Sequence, residues 1–150
     1  IRRGLHITLH ITGIKPEDPV TEKINSISYV KNYGFLNKNN EEEYRKIINI
    51  MTESDIFLFP SRAECSSIAL CEANGFGLPC FAYDTVNGVN GYMLPLSADG
   101  KQFADRVIQS IKNQEMNRLS EGAVKHYKEH LNWKVWSEKV KEAICSLKII

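Results

Sequence analysis

Between residues 56 and 79 the chain changes character in an order that few folds accommodate. An apolar run from Ile56 to Phe59 stops at Pro60, and a polar loop follows, Ser61-Arg62-Ala63-Glu64-Cys65-Ser66-Ser67. A second apolar stretch then ends in Gly75-Phe76-Gly77-Leu78-Pro79. Proline interrupts a strand because it has no N–H to give the ladder, and a Gly- and Pro-rich cluster closes a helix. The order therefore reads strand, loop, helix, turn. Two carboxylates are caught in it, Glu64 ahead of the helix start and Glu72 within the helix. The first N–H groups of a helix lack partners inside it. A parallel strand that feeds such a terminus is accordingly where α/β proteins hold anionic, hydroxyl-rich ligands.

The remainder of the chain repeats the alternation. His6 to Gly13 and Ile27 to Tyr33 read as strands, with a short helix or an irregular connection over Glu17 to Ser26. Glu41, Glu42 and Glu43 place three charges at the positive end of a helix, whose apolar stripe is Tyr44, Ile47, Ile48 and Met51. Further strands are expected over Asp55 to Phe59, Cys80 to Tyr83 and Tyr92 to Leu94. From Asp99 onward the pattern is helical, with Phe103, Val107 and Ile111 on one face. Further helices are expected over Glu115 to His130 and Trp133 to Leu147. Strands alternating with helices predict an α/β fold around a mostly parallel sheet covered on both faces.

Composition narrows the function classes. A length of 150 residues suits one domain, residues 1–150, with a sizeable core. A net charge of +1, with 25% charged residues, gives no bulk attraction to nucleic acid or to a membrane surface. No apolar run approaches the ~18 residues of a membrane span. The chain opens Ile1-Arg2-Arg3-Gly4 without a methionine, so it is expected to be a piece of something longer. Cys65, Cys71, Cys80 and Cys145 have no zinc-ribbon or CxxC spacing and read as reduced thiols of a cytoplasmic protein. His126 and His130 stand four apart, a zinc-compatible spacing, but no third ligand is evident and no metal is expected. His6 and His10 read as rim residues of one strand, and Trp133 and Trp136 as helix packing.

Taken in order, several short motifs resemble the C-terminal domain of glycosyltransferase family 4, a GT-B fold. They are Phe59-Pro60-Ser61, the Glu64 and Glu72 pair with Ala73, and Gly77-Leu78-Pro79. Ile11-Thr12-Gly13, Gly34-Phe35-Leu36, Ser54-Asp55-Ile56-Phe57, Asn87-Gly88-Val89-Asn90-Gly91-Tyr92 and Asn132-Trp133 match as well. The resemblance implies one Rossmann-like half of the GT-B fold with C-terminal helices. It would hold a nucleotide-diphospho-sugar as substrate, with no cofactor and no metal, and the absence of an Asp-x-Asp pair agrees with that. It further implies that Glu72 accepts hydrogen bonds from ribose hydroxyls and that Glu64 approaches the donor sugar. The amides of Ser66, Ser67 and Ile68 would face the diphosphate, Phe35 and Leu36 would line the base, and Thr85 would lie at the donor. The partners implied are that donor and a separate N-terminal acceptor domain, to which the terminal helices of such proteins often return. The diphosphate-binding Arg and Lys would lie upstream. The whole enzyme would be a cytoplasmic, retaining glycosyltransferase of polysaccharide biosynthesis, with peripheral association at the inner face of a membrane left open. The isolated chain would bind donor weakly and transfer nothing.

Two departures bear on this expectation. The family usually carries Gly-Phe-Gly after the first glutamate, where this chain has Cys65-Ser66-Ser67; Ser66 or Ser67 would equally serve as a plain helix cap. A Gly-Gly loop with several more residues usually separates the equivalents of Thr85 and Val86. Here Asp84-Thr85 runs straight into Val86-Asn87-Gly88. With both flanks intact, a loop left out of the numbering is expected rather than a deletion. Two alternatives stay open. One is a GT-B-like sugar-nucleotide epimerase, which would need a catalytic histidine that His6 and His10 supply poorly. The other is a non-catalytic interaction module that has kept the fold.

Overall fold

The structure, a computed structural model, describes residues 4–62, 67–83 and 88–146. It divides into two compact units, Ile1–Glu53 and Ser54–Ile150. In the first, β1 (Leu9–Ile11) pairs in parallel with β2 (Val30–Asn32), Leu9 opposite Val30, and the crossover between them carries the short helix α1 (Val20–Asn25). Helix α2 (Glu41–Glu53) starts at the expected glutamates, and Ile47, Ile48 and Met51 of its stripe are half-buried. Asn40 Oδ1 accepts from the N–H groups of Glu42 and Glu43, capping the first turn. His10 stacks on Tyr33 and its Nδ1 lies 2.9 Å from the tyrosine hydroxyl, so this histidine has a structural partner. His6 precedes the strand.

In the second unit three parallel strands run in the order β3 (Phe57–Phe59), β4 (Cys80–Ala82), β5 (Gly91–Met93). Helix α3 (Ile68–Gly75) connects β3 to β4, as the strand–loop–helix–turn reading requires. The β4–β5 crossover, Tyr83 to Asn90, is shorter than the dozen or more residues a parallel connection usually takes. The sequence is continuous there, so the brevity belongs to the protein; no loop has been left out of the numbering. The junction itself, residues 84–87, lies outside the described residues.

Beyond β5 come α4 (Gly100–Lys112), α5 (Met116–His126), the π-helix α6 (Tyr127–Leu131) and α7 (Trp133–Ser146). Asp99 caps α4 in a full capping box with Gln102. The helix expected over Glu115 to His130 in fact loosens after His126. Asn132 Nδ2 donates to the carbonyls of Tyr127 and Lys128, while Asn132 Oδ1 accepts from the Val135 N–H. One side chain thus closes the π turn and opens the next helix. Trp133 and Trp136, read as helix packing, pack edge-to-face on each other and are 74% and 57% exposed.

Among the described residues every fully buried apolar side chain lies in the second unit. Phe81, Leu94, Ala98 and Phe103 form its centre, joined by Ile56, Tyr83, Tyr92, Val107 and Met116. Two glycines permit the close approach of elements here. A Cβ on Gly91 would overlap the carbonyl oxygen of Cys80, and one on Gly122 of α5 would overlap that of Val89. By contrast, a Cβ on Gly100 meets nothing within 4 Å. Gly122→Ala is expected to lower unfolding stability by about 2 kcal/mol or more, because backbone must move to admit the methyl. Gly100→Ala should leave stability unchanged or raise it by up to about 1 kcal/mol. Urea denaturation of both variants checks the pair.

Candidate functional site

The carboxyl ends of β3 and β4 lie side by side, because the two strands are parallel and paired from Phe57–Cys80 to Phe59–Ala82. In open α/β sheets that edge is where ligands bind. The segment leaving β3 runs through Pro60, Ser61 and Arg62 toward α3, and the segment leaving β4 begins at Tyr83. Arg62 ties the two together. Its guanidinium donates to the carbonyl of Leu96 at 3.1 Å, reaches the Tyr83 hydroxyl at 3.4 Å and stands 5.5 Å from the Tyr83 ring centroid. The Tyr83 hydroxyl in turn donates to the Ala98 carbonyl at 2.7 Å.

Helix α3 begins at Ser67, whose Oγ accepts from the Leu70 N–H at 3.2 Å, while its carbonyl accepts the first intrahelical bond, from Cys71 N–H, also at 3.2 Å. The plain cap is thus what the Ser67 side chain supplies. A helix leaves its first N–H groups without internal partners, and the cap meets only that of Leu70. The N–H groups of Ile68 and Ala69 therefore point out of the helix end, carrying the positive pole of its dipole. The expected set of amides was Ser66, Ser67 and Ile68. Ser67 and Ile68 of that set lie at the start of α3, Ala69 follows them, and Ser66 lies outside the described residues.

Glu72 lies in α3 and is half-buried. It shares a helix face with Ile68, one turn earlier, which is 55% exposed although large and apolar. The opposite face, Leu70, Ala73 and Asn74, is buried. Glu72, half-buried, accordingly lies on the side of the helix away from Leu70, Ala73 and Asn74. Nearby, burial raises the Cys71 thiol above its ordinary range, with the Glu72 charge adding to the effect. Burial pushes Cys80 up to about 12. Cys71, Cys80 and Cys145 carry no disulfide.

Glu64, Ser66 and Thr85 lie outside the described residues, as does Cys65. Phe35 and Leu36 lie in the first unit, immediately after β2; the Phe35 ring is 66% exposed and Leu36 is half-buried. His126 and His130 come within 4.9 Å, ring to ring, but among the described residues no three His, Cys, Asp or Glu side chains gather as metal ligands. Burial, and then the His130 charge, hold His126 below the ordinary histidine range. Among the described residues no helix is long and apolar enough to cross a membrane.

The family described as Glycosyl transferases group 1 matches residues 1–113. No curated protein matches the sequence. Among solved structures the chain is similar to the pneumococcal O-GlcNAc transferase GtfA in complex with UDP and GlcNAc, with a TM-score of 0.68 and 21% identity over 91% of this chain and 29% of that one. It is also similar to Anabaena Alr3699/HepE in complex with UDP, with a TM-score of 0.73 and 19% identity over 94% of this chain and 41% of that one. The same Anabaena protein in complex with UDP-glucose gives a TM-score of 0.71 and 20% identity, covering 93% and 41%. At these identities the likeness establishes the fold, and it agrees with the α/β class read from the sequence. The chain spans 29% to 41% of the length of these structures.

The cap gives a direct test of the helix start. Ser67→Ala is expected to cost about 1 kcal/mol of stability and Ser67→Gly only a few tenths. Thermal unfolding of the two variants distinguishes a cap at Ser67 from one elsewhere, for which both changes would be near neutral.

Proposed function

Because the chain belongs to the glycosyl transferases group 1 family, we propose that it is the donor-binding part of a retaining glycosyltransferase. Its substrate would be a nucleotide-diphospho-sugar, and the acceptor a glycan, lipid or small molecule held largely by a separate domain. The observation that carries this reading is the capped N-terminus of α3, with the Ile68 and Ala69 amides at the helix end and the half-buried Glu72 one turn along on the face of Ile68. Those amides suit diphosphate oxygens, which gain from both the donors and the helix dipole. A carboxylate at Glu72 suits a vicinal diol, since its two oxygens can each accept a hydroxyl. Glu64 is assigned to the donor sugar and Thr85 to the same donor, by their place after β3 and β4 in the chain. In the first unit the exposed Phe35 ring, beside Leu36, offers a planar face suited to a nucleobase. Uridine is the base favoured, since both the pneumococcal and the Anabaena proteins are in complex with UDP.

In the transfer itself the bond between the anomeric carbon and the leaving phosphate oxygen breaks, and a bond from the acceptor oxygen forms on the same face. The acceptor proton passes to the departing phosphate. No side chain of this chain then acts as nucleophile. The protein contributes orientation, and positive charge where the diphosphate gathers negative charge. The reduced thiols and the donor's chemistry favour a cytoplasmic setting, in polysaccharide biosynthesis or a related pathway.

The test is a titration of the 150-residue chain with UDP, GDP and ADP by ligand-observed NMR. UDP is expected to bind weakly, in the millimolar range, and Glu72→Ala to weaken it roughly tenfold, as for loss of hydrogen bonds to a charged acceptor. No binding of any nucleotide at millimolar concentration, with Glu72→Ala indistinguishable from the parent, would overturn the reading. It would favour the non-catalytic alternative.

A further inference from the structure

Two asparagines lie deep in the second unit, Asn74 at 1% and Asn90 at 2% exposure. Burying an amide side chain is unfavourable unless its polar atoms are met. Here Asn90 Nδ2 donates to Asn74 Oδ1 at 2.7 Å, and Asn74 Nδ2 donates to the Leu70 carbonyl at 2.7 Å and toward Cys80 Sγ at 3.4 Å. Asn90 is itself held in place. Its carbonyl accepts from the Cys80 N–H at 2.9 Å, and Gly88 N–H donates to the Gly91 carbonyl at 2.8 Å. Arg118 donates to the Gly88 carbonyl, and Gly122 leaves room for Val89 against α5. The turn carrying Asn90 is thus anchored to both β4 and α5.

This anchor has a consequence for α3. Its other buried side chains are Leu70 and Ala73, and Gly75 lies against the Tyr127 ring. Contacts of that kind are non-directional, so they set the roll of the helix less sharply than a hydrogen bond does. A hydrogen bond between two amides is satisfied over a narrow range of angle and distance, so it fixes both the roll and the axial position. At about 100° per residue, Glu72 lies roughly 200° around the helix from Asn74, on the opposite side. What holds Asn74 inward therefore aims Glu72 outward.

We propose that the Asn74–Asn90 pair is a positioning device for nucleotide recognition, which sets the direction of the Glu72 carboxylate without either asparagine touching the ligand. The proposal rests on the assignment of Glu72 to the ribose hydroxyls. A merely structural pair would affect stability and the fraction of competent protein. Either change scales the affinity of every nucleotide alike. Aiming is different, because it alters the preference between a ribonucleotide and its analogue lacking both ribose hydroxyls.

The experiment measures UDP and dideoxy-UDP binding to the parent chain, Glu72→Ala, Asn74→Ala and Asn90→Ala by ligand-observed NMR. The parent is expected to favour UDP roughly tenfold, and Glu72→Ala to abolish the preference. Asn74→Ala and Asn90→Ala should both shrink it to within about twofold. Should Asn74→Ala not fold, Asn90→Ser, which is too short to span the same gap, carries the same readout. Asparagine variants that bind both nucleotides more weakly but keep the parent ratio overturn the proposal while leaving the Glu72 assignment intact. A parent without preference, or one whose preference survives Glu72→Ala, instead overturns the Glu72 assignment, and the proposal falls with it.

Discussion

The burial of β4 is the constraint on which the second unit depends. Cys80, Phe81 and Ala82 have no exposure at all, and each pairs on both sides, with β3 and with β5. A strand so enclosed cannot shift register without moving every neighbour. Phe81 is central to the core with Leu94, Ala98 and Phe103, and β5 approaches so closely that position 91 admits only glycine. The carboxyl ends of β3 and β4 are consequently fixed next to each other. The geometry of that sheet edge follows from how β4 is buried.

Much of this was legible in the chain. Ile56 to Phe59, Pro60, and Gly75 to Pro79 locate β3, α3 and the entry to β4 through apolar runs and the backbone limits of proline and glycine, which act locally. Glu41 to Glu43 and Asp99 mark helix starts for the same reason. The family resemblance, resting on motifs spread along the chain, reached the correct fold and the group 1 glycosyltransferases. Strand limits came out shorter than read: Ile27 and Asp55 lie before the ladders, which begin at Val30 and Phe57.

Other features carried no local signal. Asn74 and Asn90 meet across the fold, and nothing in the composition around either marks it as buried. The π turn at Tyr127–Leu131 follows from one side chain, Asn132, reaching back to two carbonyls, whereas the apolar period of α5 alone continues past it. Two adjacent serines offered the same cap chemistry in the sequence, and Ser67 is the one that caps α3. Trp133 and Trp136 satisfied a helical packing pattern yet pair with each other at the surface. Local chemistry thus set the elements, and long-range contacts set the details that matter for recognition.

The central claim is that the start of α3 receives a diphosphate while Glu72 receives the ribose. Amide chemical shifts report it most directly, because a phosphate oxygen accepting from an N–H moves that resonance strongly. In a ¹⁵N-labelled sample titrated with UDP, the account predicts that Ile68 and Ala69 show the largest shifts in the second unit, with Glu72 moving alongside them. Saturable binding whose shifts leave Ile68, Ala69 and Glu72 in place would contradict it.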